Sequence, residues 1–234
     1  MRILWINSLI LILFMIVHMS DSQKGGDWNY FVFTLTWPPT FCSYKKCKLP
    51  PGLNDFTIHG LWPSIWPGKQ PTNCSAHSRF DIHRLQSIRN KLDYTWANLL
   101  NYENPTPFWE HEWYKHGQCG IENVLIRNEL NYFNTAVELK EKLNLLTQLK
   151  SYGIQPNNSV VIEKSHFLNV LKQAYNVSAV VKCKSKRRKD KLTKLAEIRF
   201  CFNVKLQLID CNFNDSGDNN ECEHTFIFQQ FNSQ

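Results

Sequence analysis

Residues Leu195–Cys211 read LAEIRFCFNVKLQLIDC. Ala196, Ile198, Phe200, Phe202, Val204, Leu206 and Leu208 alternate with mostly polar residues, the period of two that gives a sheet one dry and one wet face. The stretch predicts a long antiparallel strand or hairpin. Val177–Val181 and Thr225–Phe231 read as further strands beside it. Near the other end of the chain, WNYFVFTLTW (Trp28–Trp37) puts Phe31, Phe33, Leu35 and Trp37 on one side of a strand, which Pro38 and Pro39 end. Helical spacing fills the middle. Leu85, Ile88, Leu92, Trp96 and Leu99 recur at intervals of three and four between Ser78 and Asn101. A longer helical pattern runs from Asn123 to Tyr152 and closes at Gly153, and a shorter one begins near Ser165, with Phe167, Leu168, Leu171 and Ala174 inward. Strand, helices, then strands is the order of an α+β domain, a central antiparallel sheet packed with several α-helices.

The first 22 residues carry one Arg, an apolar run from Ile3 to Val17 and then small polar residues, the pattern of a cleaved secretory signal peptide. Residues 23–234 are expected to form one domain, because apolar residues are spread throughout and no Pro/Gly/Ser-rich linker divides them. All eight cysteines follow the signal segment, and the oxidising secretory route favours their pairing into four bridges. Cys42 and Cys47 are close enough in sequence for a local bridge; for the rest, spacing selects no connectivity. Asn73, Asn157, Asn176 and Asn214 head glycosylation sequons, whereas Asn104 is excluded by Pro105. These features predict a secreted, extracellular, disulfide-stapled glycoprotein with no membrane span. Formal net charge is +7, unchanged by loss of the signal peptide because one Arg and one Asp leave together. With a pI of about 9.0, the chain has a bias toward anionic partners.

Phe108–Cys119, FWEHEWYKHGQC, resembles a zinc hydrolase's H-E-x-x-H but has one residue too many. Helical zinc ligands sit at i and i+4, whereas His111 and His116 at i and i+5 lie about 140° apart on a regular helix. The spacing instead predicts two i, i+4 pairs, Glu112 with His116 and His111 with Lys115, forming a wall suited to an anionic group undergoing proton transfer. Thr106 reads as the N-cap, Pro107 as the first helical residue and Gly117 as the C-terminal cap. FTIHGLWPS (Phe56–Ser64) supplies a second titrating group, His59, followed by a glycine that permits close approach and by Trp62, a flat surface for an unstacked base.

The two segments together resemble the active-site motifs of the ribonuclease T2 family, secreted endoribonucleases whose plant branch includes the S-RNases of self-incompatibility. The resemblance spans essentially the mature chain and implies that family's fold. It implies that His116 takes the proton of the ribose 2′-hydroxyl, His59 protonates the departing 5′-oxygen, and Glu112 orients His116. Lys115 and His111 stabilise the phosphorane-like transition state. The product is a 2′,3′-cyclic phosphate, later hydrolysed to a 3′-phosphate. No metal or cofactor is implied, because single-stranded RNA supplies its own nucleophile. Trp62 resembles the family's main stacking residue, Phe108 a wall of the second base pocket, and Asn98 and Leu99 further pocket residues. Thr36 stands where many members carry Gln. The implied bridges are Cys42–Cys47, Cys74–Cys119, Cys183–Cys222 and Cys201–Cys211. The basic pI, and the loop Ile65–Arg79 where S-RNases vary between alleles, point to a monomeric self-incompatibility ribonuclease of the pistil, toxic to self pollen tubes, with a pollen F-box-type recognition partner. The alternative is an S-like ribonuclease for phosphate scavenging or defence. The run Lys182–Lys194 reads as a solvated loop between strands, with an extension of RNA binding by phosphate neutralisation as the alternative, and His77, His83, His166 and His224 read as structural or surface residues.

Overall fold

The computed structural model of the chain describes residues 28–68, 70–74, 79–185, 192–211 and 222–231. The signal segment, the sequon at Asn214, His77 and residues 186–191 of the basic run lie outside them. The described ends of that run are strand rather than solvated loop, residues 182–184 closing one strand and 193–194 opening the next, with Lys182 buried.

The Leu195–Cys211 stretch supplies the spine of a seven-stranded sheet. Strand β5 (Thr193–Asn203) pairs antiparallel with β1 (Tyr30–Thr36), from Tyr30 opposite Asn203 to Thr36 opposite Glu197. It also pairs with β4 (Val180–Lys184) and with the short β6 (Leu208–Ile209). Beyond β1 lies β2 (Thr57–Ser64), again antiparallel. The far edge is β3 (Val161–Glu163), paired antiparallel with β7 (Thr225–Ile227), which itself runs parallel to β5. The α+β expectation with a largely antiparallel sheet is therefore met, with β5 and β7 as a parallel exception.

Of the two forms the alternation in Leu195–Cys211 allowed, the chain adopts the hairpin. Asn203 accepts hydrogen bonds through its side chain from the amides of Lys205 and Gln207, and Leu206 takes a left-handed φ of 58°. The chain therefore reverses while the sequence keeps alternating, because a short polar side chain satisfies the turn amides locally. Residues Ile198, Phe200 and Phe202 of β5 join Phe31, Phe33 and Leu35 of β1 in the main core. The opposite face of β5 presents Glu197 and Arg199, only partly buried.

One short helix lies outside the sequence expectations, and two helical expectations need correction. Pro38 and Pro39 end the strand and also begin a short helix, α1 (Pro38–Cys42), where missing N–H groups cost nothing. The Ser78–Asn101 pattern is a 3-10 turn, Ile82–Ile88, capped by Asp81, leading into α2 (Arg89–Thr95). An apolar interval of three serves a three-residue turn as well as an α-helical one, so spacing alone could not separate them. The Asn123–Tyr152 pattern is broken by Asn144 at φ 41°, which separates α4 (Glu129–Leu143) from α5 (Leu145–Ser151); asparagine tolerates that left-handed step. Between α2 and α4 lies α3 (Thr106–Lys115), and α6 (Lys164–Tyr175) follows β3 as expected from the Ser165 pattern.

The four disulfides are Cys42–Cys47, Cys74–Cys119, Cys183–Cys222 and Cys201–Cys211, the set the resemblance implies. Among the sequons, Asn73 and Asn176 are exposed, and Asn157 is half-buried and accepts from the Ser159 amide. No helix among the described residues is long and apolar enough to cross a membrane.

Candidate active site

The site begins at an irregularity in the β1–β2 ladder. Thr34 pairs with Gly60 and Leu35 with Ile58, so His59 is the extra residue of a bulge. A bulge re-aims a side chain without moving the strand, and here it turns His59 toward the polar face of β5. There its Nδ1–H donates to Glu197 Oε1 at 2.7 Å, while the other oxygen of Glu197 accepts from Arg199 at 3.0 Å. The carbonyl of His59 accepts from the Trp96 indole at 3.1 Å, fixing the backbone from the opposite side.

Helix α3 provides the second wall. Trp109 and Trp113 lock it into the core against Tyr132 and Phe133. Pro105 is the N-cap, with Pro107 in the second position, one residue earlier than the sequence suggested; a rigid proline pair makes a side-chain cap unnecessary. Gly117 is not a left-handed cap. The chain continues as a 3-10 turn through Gly120, and a β-carbon at Gly117 would come within 2.5 Å of the Trp113 ring. Packing, not a positive φ, requires glycine there.

Glu112 and His116 do not meet as predicted. His116 is the C-cap, at φ −128° and ψ −56°, so its side chain leaves the i, i+4 row although its amide still donates to the Glu112 carbonyl. The Glu112 carboxylate turns instead to Trp62, whose Nε1–H donates to Oε2 at 2.9 Å. Gly60 makes that bond possible, because a β-carbon there would sit 2.1 Å from the indole nitrogen and 2.3 Å from the carboxylate oxygen. The close approach expected of this glycine is thus real, and its beneficiary is Trp62.

Trp62 lies between the two imidazoles rather than alone on an open wall. Its ring centroid is 5.0 Å from that of His59 and 5.2 Å from that of His116, and the Arg199 guanidinium lies over it at 5.6 Å. Beside this cluster a cleft of about 310 Å³ is lined by His59, His111 and Glu112 together with Thr36, Leu99 and Phe108. Asn98 lines it too, but its amide is committed to backbone, donating to the Asn104 carbonyl and accepting from the Leu100 amide, so it shapes the wall. Lys115 stands one turn below His111 at the end of α3, and its carbonyl accepts from Asn73.

The two histidines are biased in opposite directions. Burial alone disfavours a charged His59, but the hydrogen bond and charge of Glu197, with Glu112 adding, raise its pKa above the ordinary value. Burial pushes His116 down to about 3, and the positive charges of Lys115, His59 and His111 act the same way. Its Nδ1 has no hydrogen-bond partner. Burial and Lys115 also lower His111, while burial raises Glu112 despite the His59 charge and the Trp62 bond. The fold thus favours the charged form of His59 and the neutral form of His116.

The family model for the Ribonuclease T2 family matches residues 28–211. The chain belongs to the ribonuclease T2 family. As a member it is an endoribonuclease, and its relatives are widely spread. Ribonuclease Oy of Magallana gigas is 36% identical over 188 residues, 80% of this chain and 88% of that protein. The solved structure of a ribonuclease MC1 variant in complex with 5′-UMP superposes with a TM-score of 0.74 at 32% identity, covering 87% of this chain and all of that one. A self-incompatibility associated ribonuclease of Nicotiana alata gives 0.72 at 27% identity over 87% of this chain and all of that one.

Glu197 and Arg199 were not among the sequence candidates of this ribonuclease. The signal was present: an acid and a base two residues apart on the wet face of a predicted strand. It was silent because charge on a wet face is ordinary, and nothing in the sequence places it opposite His59, 138 residues away.

Proposed function

We propose that this ribonuclease cleaves single-stranded RNA by acid/base transesterification between His116 and His59. The observation that carries the reading is the flanking of Trp62 by two imidazoles beside a cleft that His59 lines, with His59 favoured as a cation and the buried His116 as a neutral base. Neutral His116 removes the 2′-hydroxyl proton, the 2′-oxygen attacks phosphorus, and protonated His59 passes its proton to the departing 5′-oxygen. Lys115 and His111 face the developing negative charge. Glu112 supports the site through Trp62. The resulting 2′,3′-cyclic phosphate is opened by water with the two histidines exchanging roles. Trp62 and Phe108 contribute base stacking, Thr36 and Leu99 contribute base contacts, and Asn98 shapes the pocket wall. RNA as substrate is supported by the 5′-UMP complex of the similar ribonuclease MC1 structure.

Because the nucleophile belongs to the substrate, turnover on RNA is expected in excess EDTA, and DNA is expected to resist. Changing His59 or His116 to Ala should lower kcat by about 100 to 10,000-fold, roughly 3 to 5 kcal/mol of barrier. Undiminished turnover in either variant would end the mechanism.

The finer biological reading is a secreted self-incompatibility ribonuclease. The N-terminal pattern and four disulfides support passage through the secretory route. The basic pI and the likeness to the Nicotiana alata protein support the pistil role. That role predicts pistil-restricted expression and divergence between individuals in Ile65–Arg79. Uniform sequence there, or expression in root and leaf, assigns the same chemistry to phosphate scavenging or defence.

A further inference from the structure

We infer that Glu197 is the positioning residue for the general acid: it holds His59 by Nδ1 so that the protonated Nε2 faces the scissile phosphate. This rests on the acid role proposed for His59.

The geometry limits what else the pair could do. A carboxylate 2.7 Å from Nδ1 fixes the ring orientation and leaves Nε2 as the nitrogen free to meet substrate. Glu197 cannot swing away, because Arg199 holds its second oxygen and both side chains are mostly buried, at 18% and 15% exposure. The β1–β5 register sets Glu197 opposite Thr36 and Arg199 opposite Thr34, on the face where Thr34 meets Gly60 in β2. The acid is therefore steadied across three strands, from a residue 138 positions away. The same arrangement continues through Arg199 over Trp62 to Glu112, so both walls of the cleft share one polar network.

Other charges face His59 and bear on its proton. Glu112 and His111 approach from α3, with Lys115 and His116 at its end, Arg199 stands beside Glu197, and Lys184 of β4 lines the same cleft. The nearest anion is Glu197, and its carboxyl is held at about 2, so it stays charged wherever the enzyme works.

In the step concerned, the bond from the 2′-oxygen to phosphorus forms as the bond to O5′ breaks. The Nε2 proton moves to O5′ and His59 becomes neutral. Removing the Glu197 charge lowers the pKa of His59, so less acid survives toward high pH. Glu197→Gln, nearly isosteric, should move the alkaline limb of kcat/KM for a dinucleotide to lower pH and cut turnover at pH 7 about 100-fold. The acidic limb, set by His116, should stay in place. A uridine 3′-phosphate ester of p-nitrophenol, whose leaving group needs no proton, should restore most of the rate. Glu197→Asp, which keeps the charge, should retain the alkaline limb. If Glu197 merely braces the sheet, Glu197→Gln lowers the melting temperature, scales both limbs alike and is not rescued by the activated ester; that result overturns the proposal. An alkaline limb unmoved in Glu197→Gln overturns it as well. The His59→Ala control separates the two ideas, since full activity there defeats the acid role itself rather than its support.

Discussion

His59 and His116 are the same residue type placed in opposite electrostatic settings, and the difference can be measured as pH dependence. The base must be neutral, and His116 sits near 3, so activity is expected to persist far into the acid range and fall only below about pH 3. The acid must be protonated, and His59 is raised, so kcat/KM should decline only above the ordinary histidine range. Stability follows a different sign. Between about pH 6.5 and 3 the unfolded chain protonates His116 while the folded chain does not, so this residue makes stability fall as pH drops through that window. His59 acts oppositely: its contribution is complete below the unfolded value and is lost as pH rises through the folded one. A kcat/KM profile with an acid limb near 6 would contradict the burial of His116. Neither bias is legible in HEWYKH or TIHGLW, because each depends on what the fold buries beside the ring.

Strand β2 and helix α3 communicate through one missing side chain. Gly60 leaves room for the bond between Trp62 and Glu112, and Glu112 is only 1% exposed, so the carboxylate has no access to water as a substitute donor. Gly60→Ala combines overpacking with a broken bond to a buried acid and should cost about 2 to 4 kcal/mol. Thermal unfolding would read the loss, with kcat falling too because Trp62 would shift between the imidazoles. A variant with unchanged melting temperature and rate would show that the strand relaxes at no cost. Sequence periodicity located β1, β5 and α6, and it overran wherever a helix was interrupted by a single residue. Asn144 illustrates this: one left-handed residue divides a helix without disturbing the apolar spacing around it.

At the scale of the molecule, the two walls come from distant parts of the chain, and Cys74–Cys119 ties them across 45 residues. Cys119 lies in the turn directly after His116, and Asn73, beside Cys74, donates its amide to the Lys115 carbonyl. Replacing both cysteines by Ser should destabilise the fold by about 4 kcal/mol on the loop-entropy estimate, measurable as a lower urea midpoint. Activity should fall further than the unfolded fraction explains, because the end of α3 is then held on one side only; activity matching that fraction would assign the bridge a purely structural role. The sequence by itself determined the α+β class, the strand–helix–strand order and the histidines, since periodicity and local motifs are properties of neighbouring residues. Tertiary structure alone decided the bulge that aims His59, the turning of Glu112 to Trp62 instead of His116, and the pairing of His59 with Glu197. These are contacts between residues far apart in the chain, fixed by strand register and burial, and no local pattern encodes which charges the fold will bring face to face.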